Sequence, residues 1–194
     1  PRFEAAEVGN LELAWLIPLS LIGTVCGWLY FVSEHASEAL AHAIGERPVV
    51  KAMLAGLALA ICGTVLPYTM FAGETQADVL METYLTIPAG VLIATGLVKA
   101  MLTPALINMG WRGGHFFPVI FSGVSLGYGL AILTGADPVF CVAVCTASTM
   151  GAVMRQPVMV VGLLLMCFPL KGIVCMIIAA VIAAGIPLPK SLRK

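Results

Sequence analysis

Residues 113–135 read GGHFFPVIFSGVSLGYGLAILTG, and this stretch decides which kind of fold the chain adopts. No charged residue follows His115 until Asp137. A helix that spans a bilayer needs about 20 predominantly apolar residues, so the stretch predicts a membrane helix that begins near Phe116. The two glycines before it favour a sharp turn at which a ligand can approach the backbone closely.

The rest of the chain has the same apolar character. Of its 194 residues, 60% are hydrophobic and 10% are charged, whereas a soluble domain is about one quarter charged. Lipid must therefore solvate much of the surface. We predict an all-α, polytopic transmembrane bundle in the lipid bilayer. Ten basic residues balance ten acidic ones, and this balance argues against nucleic acid as a partner, because phosphate binding needs clustered Lys and Arg.

Proline, glycine and charged residues divide the chain into about eight tilted, partly broken helices of unequal length. We predict helices at about residues 11–45, 48–66, 75–84, 87–108, 116–133, 138–153, 157–167 and 170–186. The third is polar enough to be a short interfacial helix, and Pro104 is placed to kink the fourth. Interrupted helices at membrane depth are typical of transporters and channels, where irregular backbone lines a cavity or is buried in protein.

The turn before the fifth predicted helix is the candidate binding site. Pro118 suits the first turn of a helix because it has no N–H to leave unsatisfied. The free N–H groups of His115, Phe116 and Phe117 then point away from the helix start, and the helix dipole adds partial positive charge there. Such a site binds an anion without a fixed cation that would hold a permeating ion too tightly. A simple chain reversal is the alternative interpretation of the same residues.

Three stretches of this sequence resemble one membrane protein family. Gly114-His115-Phe116-Phe117-Pro118 matches the GxFxP signature of the chloride channel (CLC) family, and residues 118–135 resemble the helix that follows that signature. Residues 143–166 resemble the family's pair of helices joined by an Arg-x-Pro turn, here Arg155-Gln156-Pro157. Order and spacing agree from about Leu11 to Pro189, so the chain resembles the C-terminal half of the family's transmembrane domain.

The resemblance implies an anion-binding mode. In the family, two inverted halves direct helix N-termini at a central chloride, which is the substrate, and no cofactor is required. Carried over to this chain, the backbone amides of His115, Phe116 and then Phe117 bind the anion. Gly113, Gly114 and Pro118 shape the site.

The resemblance also implies a domain organisation and partners. Residues 1–194 form one half of the membrane domain, with extramembrane flanks at residues 1–10 and 190–194. The implied partners are an N-terminal half of the same protein and a second copy, contacted through residues 157–167 and 170–186. The implied activity is that of a voltage-gated-type channel or a proton-coupled exchanger.

Five family features are missing or altered. The sequence contains neither Gly-Ser-Gly-Ile-Pro nor Gly-Lys/Arg-Glu-Gly-Pro, which supply the family's serine ligand and gating glutamate. We expect both motifs in the N-terminal half. No tyrosine follows the last predicted helix, His115 replaces a small or aliphatic residue, and Met166 occupies the position of a family glutamate. These residues do not distinguish a channel from an exchanger.

Other functional classes rest on isolated residues. Glu34, Glu38 and His42 share a helix face that suits a metal or the solvated end of a helix. Lys99, within an apolar run, is either functional or extends to the interface. We predict no metal site, and no disulfides, because the six cysteines lie in apolar runs and behave as small hydrophobic residues.

An enzyme is the competing class of function. It requires a nucleophile with a base, and Ser122, Ser125 and Ser148 have no base near them in the sequence. We therefore predict no enzymatic activity, and a secondary transporter for another anion, such as fluoride or nitrate, is the closer alternative. Lys190, Arg193 and Lys194 predict a cytoplasmic C-terminus in the inner, cytoplasmic membrane.

Overall fold

Every regular element in the described part of the chain is a helix. The computed structural model describes residues 2–189 and residue 192. The elements are α1 Asn10–Ile44, α2 Pro48–Val65, α3 Glu74–Thr83, α4 Ala89–Asn108, α5 Phe116–Thr134, α6 Pro138–Met154, α7 Pro157–Leu164 and α8 Ile173–Gly185, with short 3-10 turns at Pro67–Thr69 and Tyr84–Thr86. The predicted all-α bundle with about eight helices is confirmed.

Among the described residues, four helices are long and apolar enough to cross a membrane. They are α1, α2, α4 and α5, with 35, 18, 20 and 19 residues. At 1.5 Å per residue, α1 is longer than the hydrocarbon core of a bilayer is thick, as expected for a tilted helix. The apolar helices α6 and α8 are shorter, so the unequal lengths predicted from the sequence are present.

The interior of the bundle is built around α5 and α6. These two helices pack along each other, α4 covers α5, and α1 and α8 cover α6. Gly123 and Gly127 of α5 lie against the backbone of α6, where a Cβ atom on either glycine would be 2.4 Å from a Cα atom of Thr146 or Val142. In lipid, small residues allow this close backbone approach.

Local signals explain most of the helix ends. Gly45, with φ of 70°, ends α1, and the Asp137 side chain accepts a hydrogen bond of 2.7 Å from the N–H of Phe140 at the start of α6. Arg155 ends α6 with φ of 55°. Two of its hydrogen bonds run from Nη2 to the carbonyl oxygens of Ala184 (2.9 Å) and Ile186 (3.2 Å), so its guanidinium interacts with the C-terminal end of α8.

The last two helices are shorter than the sequence predicts. The backbone tightens after Leu164, because Met166 and Cys167 donate to the carbonyls three residues earlier rather than four. Gly172 has φ of 92°, a left-handed conformation that does not belong to a helix. Consequently α7 ends before residue 167, and α8 begins at Ile173 rather than near residue 170.

The N-terminal segment predicted as a flank packs against the bundle. Phe3 is buried, its ring stacks on that of Phe168 at a centroid distance of 4.5 Å, and its N–H donates to the carbonyl of Cys167 at 2.9 Å. Phe3 therefore covers part of the turn between α7 and α8. The C-terminal residues Lys190, Arg193 and Lys194, on which the predicted orientation depends, lie outside the described residues.

Candidate functional site

The candidate site begins where α4 ends. Met109 and Gly110 close α4, and Gly110 has φ of 94°, in the region that favours glycine. Residues 111–114 then run without regular structure to His115, which precedes the first residue of α5. The sharp reversal that the sequence predicted is therefore made at Gly110, and neither Gly113 nor Gly114 has a positive φ.

Gly113 and Gly114 leave the backbone accessible. A Cβ atom added to either residue would meet no heavy atom within 4 Å in this chain, and both residues are exposed. The sequence suggested two roles for these glycines, a tight turn and a close approach of a ligand to the backbone. The positive-φ turn is at Gly110 instead, and the close approach of a ligand stays a prediction.

The first amides of α5 carry free donors. The N–H of Val119 bonds to the carbonyl of His115 at 3.1 Å, but within residues 2–189 the N–H groups of His115, Phe116 and Phe117 have no hydrogen-bond partner. Pro118 has no N–H. The helix start has no side-chain cap and no acidic residue in its first turn. Three backbone donors and the positive end of the helix dipole therefore lie together.

The His115 side chain packs among aromatic rings. Its ring stacks on Phe116 at a centroid distance of 4.5 Å and lies 6.4 Å from the ring of Tyr30 on α1. It makes no capping hydrogen bond. Phe117, by contrast, is 47% exposed in this chain. The three residues that the sequence singled out thus lie together, and their amides rather than their side chains supply the polar groups.

The sequence did not predict that Lys99 lies beside this turn. Lys99 is buried in the middle of α4, with 4% of its surface exposed. Its Nζ donates to the carbonyl of Thr69 at 2.7 Å and to the carbonyl of Phe71. The side chain is therefore held against the 67–73 segment inside the chain. A lysine inside an apolar run was the available signal, but its carbonyl partners lie 28 and 30 residues away.

A cavity of about 410 Å³ connects Lys99 with the turn. Its walls come from α2, from residues 70–72, from α4, and from Trp111 to Gly114 together with Pro118. The site thus has an open approach on the side of Lys99.

The second cluster suggested by the sequence does not form a metal site. In the described residues, no group of three or more His, Cys, Asp or Glu side chains is arranged to hold a metal ion. Glu38 and His42 line a small cavity with Lys51 and Asn108. The six cysteines are free thiols.

Comparisons with known proteins agree with this geometry. The family model for the voltage gated chloride channel matches residues 3–187 of the chain. The fold is also that of a solved structure described as a CLC-type fluoride/proton antiporter, with a TM-score of 0.77 and 20% sequence identity. That match covers 95% of this chain and 46% of the other, so the chain spans about half the length of that transporter. No curated protein sequence matches.

Proposed function

Because the chain belongs to the voltage gated chloride channel family, we propose that it forms half of a membrane anion-transport pathway. The anion is bound by the backbone N–H groups of His115, Phe116 and Phe117. The observation that carries the proposal is that these three N–H groups have no partner among the described residues, at an uncapped helix start beside an open glycine segment.

The energetics of this arrangement suit transport. Hydrogen bonds to an ion are worth about 1.5–3 kcal/mol each, more than neutral ones, because the full charge of the ion strengthens the electrostatic attraction to each N–H. Partial charges spread over three amides bind a monovalent ion without pairing it with a full charge. An ion held in this way can still leave, and conduction requires this.

Amide-to-ester substitution tests the proposal directly. Replacing Phe116 by its α-hydroxy acid removes one N–H and keeps the phenyl side chain. In the assembled protein, we expect chloride affinity to fall by about tenfold or more, measured by calorimetry. The matched control is the same substitution at Val139, near the start of α6, where Asp137 already caps the helix. Equal affinity for the two esters would exclude the amides of α5 as ligands.

The other half of the pathway comes, in this proposal, from an N-terminal half of the same protein. The match to 46% of the solved transporter supports it. Residues 1–194 alone should then give no chloride flux in liposomes, whereas the assembled protein should. Robust flux from this chain alone would contradict the requirement for a second half.

Two transport modes follow from family membership, and one assay separates them. We propose either a chloride channel or a proton-coupled exchanger, and a secondary transporter of fluoride or nitrate is the alternative. The described fluoride/proton antiporter shares the fold. Flux of chloride, fluoride and nitrate with and without a proton gradient distinguishes these possibilities, because only an exchanger drives anion movement uphill with protons.

The dimer contact in this proposal lies on α7 and α8. The exposed surface of these helices and of the turn between them is almost entirely apolar, and its most exposed members are Val158 on α7, Met166 and Leu170 in the turn, and Val174 on α8. A second copy packed on this surface fits the family's homodimeric assembly. Val158→Arg with Val174→Arg should shift the protein to a monomer in cross-linking and light-scattering measurements. A dimer that persists would place the contact elsewhere.

The proposed location is the inner, cytoplasmic membrane, with the C-terminus in the cytoplasm. Support comes from the basic residues Lys190, Arg193 and Lys194, because short positively charged flanks are retained inside. A reporter fused after Lys194 should be active only on the cytoplasmic side.

A further inference from the structure

We propose that the cavity beside Lys99 is a second anion-binding site, separate from the amides of α5, which holds a small monovalent anion against the Lys99 ammonium. The inference rests on the proposed function, because it assigns the new site to the same transported ion. It concerns different ligands, a side chain and a cavity rather than helix-start amides.

Lys99 carries its ammonium group inside the chain. The residue is 96% buried (4% exposed), and both of its hydrogen bonds go to carbonyl oxygens of residues 69 and 71. Both of these partners are neutral carbonyl groups. Carbonyl dipoles satisfy hydrogen bonds but leave the net charge in place. A buried charge without a counter-charge is costly, and a bound anion removes that cost.

The ammonium group of Lys99 has one hydrogen-bond donor left over. An ammonium group carries three N–H bonds, and two of them are used on the carbonyls of Thr69 and Phe71. One N–H therefore remains. Lys99 also lines the cavity, and in this proposal a bound anion accepts that third hydrogen bond while the other two are kept.

The cavity that Lys99 lines is large enough for an anion. The cavity measures about 410 Å³, whereas one water occupies about 30 Å³ of liquid volume, so a halide fits together with several of its waters. The walls from Leu59, Met70 and Leu106 are apolar. In such surroundings the attraction between the ammonium and an anion is stronger than in water.

The cavity lies next to the amide site at the start of α5. Gly113 and Gly114 belong to its wall, and the free amides of α5 begin at the next residue. Arg112, which is exposed, lies at the rim, where it attracts anions from solution. In this proposal, an ion held by Lys99 therefore lies next to the amide site.

Bromide is the probe, because its anomalous scattering locates it in crystals of the assembled protein. We expect two peaks in the wild type, one at the first amides of α5 and one in the Lys99 cavity. Lys99→Met should remove only the cavity peak and raise the half-saturating bromide concentration for transport by about tenfold. Lys99→Arg should retain both peaks.

Lys99→Gln distinguishes two roles of Lys99, binding the anion through its charge and anchoring residues 69 and 71 through hydrogen bonds. Glutamine can still donate to the carbonyls of residues 69 and 71 but carries no charge, so it should lose the cavity peak as Lys99→Met does. A cavity peak that persists in Lys99→Gln, or is absent in the wild type while the α5 peak is present, overturns this inference alone. Absence of the α5 peak in the wild type would instead contradict the proposed function.

Discussion

The two ends of α5 contrast in how they use glycine. Past the middle of the helix, toward its C-terminal end, Gly127 contacts the backbone of α6 so closely that an added Cβ atom would lie 2.4 Å from the Cα atom of Val142. Just before the N-terminal end, Gly113 and Gly114 have no neighbour within 4 Å of such an atom. The same residue type therefore fixes the helix in the bundle at one end and keeps its amides accessible at the other.

This contrast separates stability from binding along a single helix. Residues 119–131 of α5 are all buried, so packing determines where the helix lies. Its first turn is less buried and keeps unpaired donors. A rigid helix with an open start is a preorganised ligand, since it does not need to reorganise when an ion arrives. Substitutions at the two ends should therefore produce different kinds of defect.

The largest expected effect is on folding, at the buried end. Gly127→Ala places a methyl group 2.4 Å from the Cα of Val142, so the helices must separate. We expect the free energy of unfolding to fall by about 3 kcal/mol, measured by thermal melting in detergent. Gly56→Ala is the matched control, because a Cβ atom at Gly56 in α2 meets nothing within 4 Å. Equal melting temperatures for the two variants would show that the α5–α6 contact is not close.

The next effect is on anion binding, at the open end. Gly114→Val adds a β-branched side chain beside the first amides of α5, so we expect chloride affinity to fall by about 30-fold, or about 2 kcal/mol, the value of one charge-assisted hydrogen bond. The melting temperature should change little, because Gly114 has neither a positive φ nor a close neighbour. If Gly114→Val instead lowers the melting temperature as much as Gly127→Ala, the two ends do not differ in the way described.

The smallest expected effect is at His115. His115→Ala keeps the backbone N–H and removes no capping bond, so chloride affinity should stay within about twofold of the wild type. Loss of the ion at every pH would make the side chain the ligand and contradict the amide mechanism.

The sequence predicted the helices better than it predicted the site. Charges, prolines and the Asp137 cap mark most helix boundaries, because these signals act locally. The predicted end of α7 and the predicted start of α8 were wrong. From sequence alone, a glycine such as Gly172 does not reveal whether it ends, begins or interrupts a helix. The open amides of residues 115–117 remain a prediction as ligands, although the structure places them together.

Long-range contacts account for what the sequence did not reveal. The neighbours of Gly127 and Gly114 are set by tertiary packing, so two glycines with the same local signal have opposite roles. Lys99 is the clearest case. Its position in an apolar run suggested either function or an interfacial end, and only the fold shows that carbonyls from residues 69 and 71 hold it inside.

The buried Lys99 also constrains how the chain is made. A lysine at the centre of a helix costs about 2.5–3.5 kcal/mol when that helix enters the bilayer alone. The carbonyls that receive it belong to residues 28 and 30 positions earlier, so they are synthesised first. We therefore expect α4 to insert as a unit with the preceding 67–73 segment, and a ribosome-stalled chain that lacks this segment to leave α4 poorly integrated.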